Sequence, residues 1–197
     1  MRVSKGFLLV GMGLMALGCT YSDSAARAEL ARRGIPFTPA AFLGKVGSGD
    51  TEAVRLFLRA GMPLTVRNRY GLDALTVAVV MNQGAVLDVL LEAGADPNAP
   101  DPAGMTALHW ASDRCRPAAA RRLLEAGADV HASDRDWWTA LHWAANRGCR
   151  AVVLLLLEAG ADPRRRDTEG FTAAAYAVEA GYPDIAQILR YAEQNRP

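Results

Sequence analysis

Cysteine and histidine are scarce in this 197-residue chain, with three of each. A metal centre therefore has few ligands to draw on, because zinc asks for three or four converging donors. Neither sign of charge dominates, with 22 Lys and Arg against 21 Asp and Glu, a formal net charge of +1. An N-terminal segment with Arg2 and Lys5 carries no acid, and setting it aside leaves 20 basic against 21 acidic residues. Nothing in this balance points to a nucleic-acid partner, whose phosphates are held by clustered Lys and Arg. The one dense basic run, Arg164-Arg165-Arg166, lies beside Asp162 and Asp167 and reads as a solvated loop. Gly-x-Ser-x-Gly, a phosphate-cradling glycine loop and His-Glu-x-x-His are all missing, so no activated nucleophile can be assembled and neither an enzyme nor a cofactor is expected.

Long apolar runs are also missing. Phe7 to Leu17 falls far short of the ~20 residues needed to cross a bilayer, and with Arg2 and Lys5 ahead of it the segment has the shape of a secretory signal. It ends in Met15-Ala16-Leu17-Gly18-Cys19, a small residue directly before cysteine, which resembles the lipobox of bacterial lipoproteins. That resemblance implies cleavage after residue 18 and lipid on Cys19, anchoring the chain to a membrane on the periplasmic side of the bacterial envelope. Ala16 departs from the leucine usual in that family, which keeps ordinary signal-peptidase cleavage as the alternative. Thr20 is not the aspartate linked to inner-membrane retention, which favours the outer membrane.

The remainder repeats itself. Gly61, Gly94, Gly127 and Gly160 are 33 residues apart, closing FLRAG and three copies of LLEAG. Asn68, Asp101, Asp134 and Asp167 keep that spacing, as do Thr106, Thr139 and Thr172 at the heads of TALHWAS, TALHWAA and TAAAYAV. In one unit Val153, Leu156 and Leu157 form an apolar stripe while Arg150 and Glu158 are polar, the mark of an amphipathic helix. Gly160 closes that helix and Asp162-Pro163 forbids its continuation. Thr139 can cap a first helix from Ala140 to Arg147, stopped by Gly148. Each unit is thus helix, turn, helix, loop, and Ala111, Ala144 and Ala145 let neighbouring units approach closely.

A 33-residue period with a Thr-x-Leu-His start and a Leu-Leu-x-x-Gly-Ala end resembles the ankyrin repeat over residues 40 to 192. The resemblance implies an all-α solenoid of stacked helix-turn-helix units with projecting loops. Units start near Ala40, Asp73, Thr106, Thr139 and Thr172, giving four full repeats and a C-terminal capping repeat over residues 40–197. Residues 1–18 are the signal and 19–39 a tether with a lone capping helix from Ser24 to Gly34, whose 27-residue spacing to Gly61 breaks the period. Stacking buries the stripe of each unit on the next.

His109 and His142, 33 residues apart, invite a metal reading, but no Cys or carboxylate shares their register. In ankyrin families this histidine orders the turns between repeats. His109, His142, Thr106, Thr139, Gly94, Gly127 and Gly160 are accordingly read as structural, as are Asp96, Asp129 and Asp162, and His131 as a solvated loop residue. For Cys115 and Cys149 the repeat spacing puts the Cα atoms nearer 10 Å than the limit of about 7 Å for a disulfide, so two free thiols are expected.

Aromatic residues make the most informative departures. Trp110, Trp143 and Tyr176 share one register, and Met105, Trp138 and Phe171 another, at the first helix or its entry, which in ankyrin folds lines the concave face. Trp137 stands where Gly71, Gly104 and Gly170 stand in other units, at a turn that wants a positive φ. The tip Arg135-Asp136-Trp137-Trp138 has the composition of an interface anchor. These residues are the candidate surface for a protein partner, on a chain expected to be a monomer, although a Trp-rich side leaves self-association open. The expected function is a non-enzymatic adaptor anchored in the envelope. The competing reading is an envelope protein that binds a small ligand or metal through His109, His142 and the aromatic groove.

Overall fold

In each 33-residue unit a capped first helix turns back into an amphipathic second helix. In the computed structural model, which describes residues 24–195, Asp73 accepts the N–H of Thr76 at 2.8 Å to start α4 (Ala74–Val80). Thr106 and Thr139 start α6 (Ala107–Asp113) and α8 (Ala140–Asn146), each in a reciprocal box with the histidine three residues on. Thr38 caps α2 (Pro39–Ser48), and Thr172 precedes α10 (Ala173–Glu179). The second helices are α3 (Thr51–Arg59), α5 (Gly84–Glu92), α7 (Pro117–Glu125), α9 (Arg150–Glu158) and α11 (Pro183–Asn195).

The two kinds of helix form two rows, α2, α4, α6, α8, α10 in one and α3, α5, α7, α9, α11 in the other, each packed on its neighbours. The fold is an all-α solenoid, and among the described residues strand-like pairing is limited to isolated bridges. The α1 helix (Ser24–Arg32) packs on α3. It therefore takes a second-helix place, with no first helix of its own among the described residues. Its odd 27-residue spacing arises because only a short segment joins it to α2, where the later units insert a projecting loop.

Burial follows the period. Phe57, Leu90, Leu123, Leu156 and Leu189 are fully buried along the second row, and Ala111, Ala144 and Ala177 along the first, where only a methyl group separates adjacent helices. Each buried leucine contributes about 2 kcal/mol of apolar burial. The apolar face of α9 is wider than the stripe of Val153, Leu156 and Leu157. Val152 and Leu155 are buried too, while Leu157 is only partly so. The reason is that α9 meets three helices, α7, α8 and α11.

Four loops project from the same end of the units as fingers, at residues 67–73, 100–106, 133–139 and 166–172. Bridges from Arg67 to Asp73, Ser133 to Thr139 and Arg166 to Thr172 close the first, third and fourth. Neighbouring fingers are tied by their backbones: Arg135 N–H donates to the Ala103 carbonyl at 3.1 Å and Thr168 N–H to the Asp136 carbonyl at 3.2 Å. The Arg164-Arg165-Arg166 run is exposed as read, yet two of its members are anchored. Arg164 Nε donates to the Glu193 carbonyl at 2.9 Å and Arg166 to the Gly170 carbonyl at 2.6 Å.

The expectation of free thiols is wrong. Cys115 and Cys149 form a disulfide, with Cα atoms 5.2 Å apart. Comparing residues 33 apart led to the larger distance, whereas the turns meet in a register of 34. A Cβ added at Gly49 would run into the Gln83 side chain, and one at Gly148 into the Tyr182 ring at 2.5 Å. Both pairs are 34 residues apart, like Cys115 and Cys149. Cys115 holds a left-handed φ of 51°, as its counterpart Gly148 does at 72°, and that conformation points its Cβ at the next unit.

Candidate functional site: the third and fourth fingers

One acidic side chain organises each of the last three fingers. Asp134 accepts the backbone N–H groups of Asp136 at 3.0 Å and Trp138 at 2.9 Å on Oδ1, and the indole N–H of Trp143 at 3.0 Å on Oδ2. Asp101 does the same with Ala103, Met105 and Trp110. Asp167 takes Glu169, Phe171 and the hydroxyl of Tyr176. A charged acceptor serving three donors at once pins the finger to the first helix behind it. Burial opposes ionisation of Asp167, but the Tyr176 hydroxyl and the N–H groups of Phe171 and Glu169 outweigh it and hold the carboxyl below its usual range. Burial first, then the Asp167 carboxylate, drive the Tyr176 hydroxyl far above the usual phenol range.

Between the third and fourth fingers lies a cleft of about 350 Å³, with Trp138, Trp143 and Tyr176 as its aromatic wall and the acids of both fingers around it. The Trp138 ring sits 4.9 Å from Trp143 and 4.3 Å from Tyr176, tilted by 57° and 47°. Trp137 stands outside the cleft at the finger's tip, 57% exposed, with φ of 65°. This is the positive φ that its alignment with three glycines requires. Phe171 on the next finger is 48% exposed.

The structure divides the sequence candidates. Arg135, Asp136 and Trp137 are exposed at one tip, with Trp138 half-buried behind them. Trp110, Trp143 and Tyr176 are half-buried, each with its polar atom spent on the aspartate nine residues earlier, so they offer ring faces alone. Met105 drops out as a contact residue. It is 7% exposed because the entry to α6 turns it inward. Cys19 lies outside the described residues.

The histidines knit units together. His109 is 1% exposed. Its Nδ1 accepts the Thr106 N–H at 3.0 Å, which leaves the Nε2 proton for the Trp138 carbonyl of the next finger at 3.1 Å. His142 Nδ1 accepts from Thr139 at 3.1 Å. Its Nε2 has no partner within hydrogen-bond geometry among the described residues, although the Phe171 carbonyl is close enough to favour the charged ring. Burial lowers the pKa of both histidines. Asp96, Asp129 and Asp162 each bind a backbone N–H two residues on, and Asn98 adds a stitch between units through Gly127 and Asp129.

Sequence reasoning missed Asp134, Asp167, Thr168 and Glu169 as parts of one site. The signal is a fixed nine-residue offset, Asp101 to Trp110, Asp134 to Trp143 and Asp167 to Tyr176, which links two columns of the repeat rather than running down one.

Comparison with known proteins agrees with this architecture. Residues 100–167 and 132–196 match the family model for ankyrin repeats in three copies. Cyclin-dependent kinase 4 inhibitor B from Bos taurus is 43% identical over 58 residues, which is 29% of this chain and 44% of that protein. The chain thus spans less than half the length of this relative.

Proposed function

This chain carries ankyrin repeats, and from that premise we propose that it is a non-enzymatic adaptor, holding a protein partner against its third and fourth fingers. The observation that carries this reading is Trp137. A bulky aromatic is kept exposed in a left-handed conformation where glycine would be cheaper, and both features disfavour it unless something covers it. Arg135 beside it and the ring faces of Trp138 and Trp143 behind it supply the residue types that dominate binding energy at interfaces. A relative named as a kinase inhibitor supports a role in engaging another protein.

The adaptor is tethered to the bacterial envelope on its periplasmic side by lipid on Cys19. Support comes from the basic and apolar segment ahead of the Gly18-Cys19 junction. The Cys115–Cys149 disulfide also supports it, since such bonds persist in oxidising compartments. The test is cross-linking and co-purification of the tagged chain from the envelope beside Trp137→Ala and Trp138→Ala versions. A protein enriched by the unaltered chain and lost from the variants is expected. Enrichment that ignores both tryptophans would place the surface elsewhere.

A further inference from the structure

We propose that the cleft between the third and fourth fingers receives a cationic side chain, a lysine or arginine presented by the protein partner. The inference rests on the adaptor reading and names the chemistry that reading leaves open. It comes from counting which polar groups around the cleft are already spent.

The backbone donors are spent. In the third finger the N–H groups of Arg135 and Trp137 go to the carbonyls of Ala103 and Asp134, and those of Asp136 and Trp138 to the Asp134 carboxylate. The fourth finger repeats this, with Thr168 and Gly170 bonded to the Asp136 and Asp167 carbonyls and Glu169 and Phe171 to the Asp167 carboxylate. The indole N–H of Trp143 and the hydroxyl of Tyr176 are likewise turned onto Asp134 and Asp167.

The acceptors are not spent. Asp136 and Glu169 are exposed, and their carboxylates have no hydrogen bond or ion pair among the described residues. No basic side chain lines the cleft. Tilted faces of Trp138 and Tyr176 complete a wall whose negative π surfaces attract cations.

Such a surface selects its occupant. An anion meets carboxylates and ring faces, with the neutral Thr168 hydroxyl too weak a donor to offset them. An apolar side chain strips water from Asp136 and Glu169 and returns nothing. A cation that carries several N–H groups on an aliphatic stem satisfies the carboxylates with its head and the rings with its length.

The test titrates the full chain with short capped glycine peptides that carry arginine, lysine, norleucine or glutamate, following tryptophan fluorescence and the indole N–H resonances of Trp138 and Trp143. The arginine and lysine peptides are expected to move these signals saturably and less strongly in high salt. Asp136→Asn combined with Glu169→Gln, two near-isosteric changes at exposed positions, is expected to weaken that binding about tenfold with the circular dichroism unchanged.

Equal binding of the norleucine or glutamate peptide overturns the proposal, as does a carboxamide variant that binds like the unaltered chain. Arginine amide or tetramethylammonium binding as tightly as the peptides would make the cleft a small-molecule site and overturn the assignment to a partner. A partner retained by the carboxamide variant but lost from Trp137→Ala leaves the adaptor standing and removes the cation site. A partner that ignores Trp137 and Trp138 removes the adaptor surface, whatever the peptides do.

Discussion

Trp137 carries a cost that can be measured without knowing any partner. A left-handed conformation costs an L-residue about 1–2 kcal/mol, and glycine escapes most of it. Trp137→Gly is therefore expected to raise the unfolding free energy by about 1 kcal/mol, read as a higher urea midpoint, while abolishing partner capture. Alignment with Gly71, Gly104 and Gly170 made this position legible before any coordinates. The two histidines make a second residue-scale prediction. Burial lowers both pKa values in the folded chain, so below about pH 6.5 the unfolded state binds protons the folded state refuses. Stability contributed by the neutral rings is complete above that pH and is lost as pH falls through the window toward the lowered folded values. Losses from Asp167, whose unfolded pKa is 3.8, begin lower still. Thermal midpoints measured from pH 7.5 down to about 5 should fall in the unaltered chain and fall much less in His109→Gln with His142→Gln, which lacks both buried rings.

At the scale of the finger, stiffness comes from neighbours as well as from the aspartate inside. Gly104 and Gly170 share a φ of 85°, but a Cβ on Gly104 would press to 3.1 Å on the backbone N of Arg135, whereas one on Gly170 meets nothing within 4 Å. Gly104→Ala and Gly170→Ala therefore carry the same conformational penalty, and their difference isolates the contact between fingers. We expect Gly104→Ala to cost about 1–2 kcal/mol more in chemical denaturation, because backbone gives way less readily than a side chain. Equal losses would mean that the fingers move independently. Helices and turns were legible because the 33-residue period repeats them several times over. The cleft was not, because it belongs to no single repeat. Asp136 comes from one finger, Glu169 from the next, and only the stacking of units brings them to one mouth. Met105 failed for a related reason. Its register with Trp138 and Phe171 was visible, but which way its own finger's entry turned was not.

Across the whole molecule, the main helix contacts among the described residues run within units and between adjacent ones, so stability is a sum of units and their interfaces. The disulfide is an exception in kind, since it ties the turn of the third unit to that of the fourth covalently. Closing 34 residues of chain, it should contribute about 3–4 kcal/mol by restricting the unfolded state. Reduction, or replacement of Cys115 and Cys149 by alanine, should lower the urea midpoint accordingly. Alkylation of the unreduced protein in denaturant should find neither thiol free. The one-residue difference between the period and the turn register hid this bond from the sequence. A column of equivalent positions shows what repeats, and the side chain of each left-handed turn reaches one residue past its equivalent in the next unit.

That clasp also changes what the chain is as a mechanical object. In the proposed arrangement, with lipid on Cys19 and a partner on the third and fourth fingers, the chain would carry any load between the two. Pulled from its ends, an unclasped stack pays out every repeat in turn. With Cys115 joined to Cys149, the 34-residue stretch between them cannot extend, which shortens the fully drawn chain by about 110 Å at roughly 3.4 Å per residue. In an optical trap that missing length should reappear on adding a reductant. The third finger, one wall of the cleft, lies inside the segment that yields least under load, while the fourth lies beyond Cys149 and can be drawn away from it.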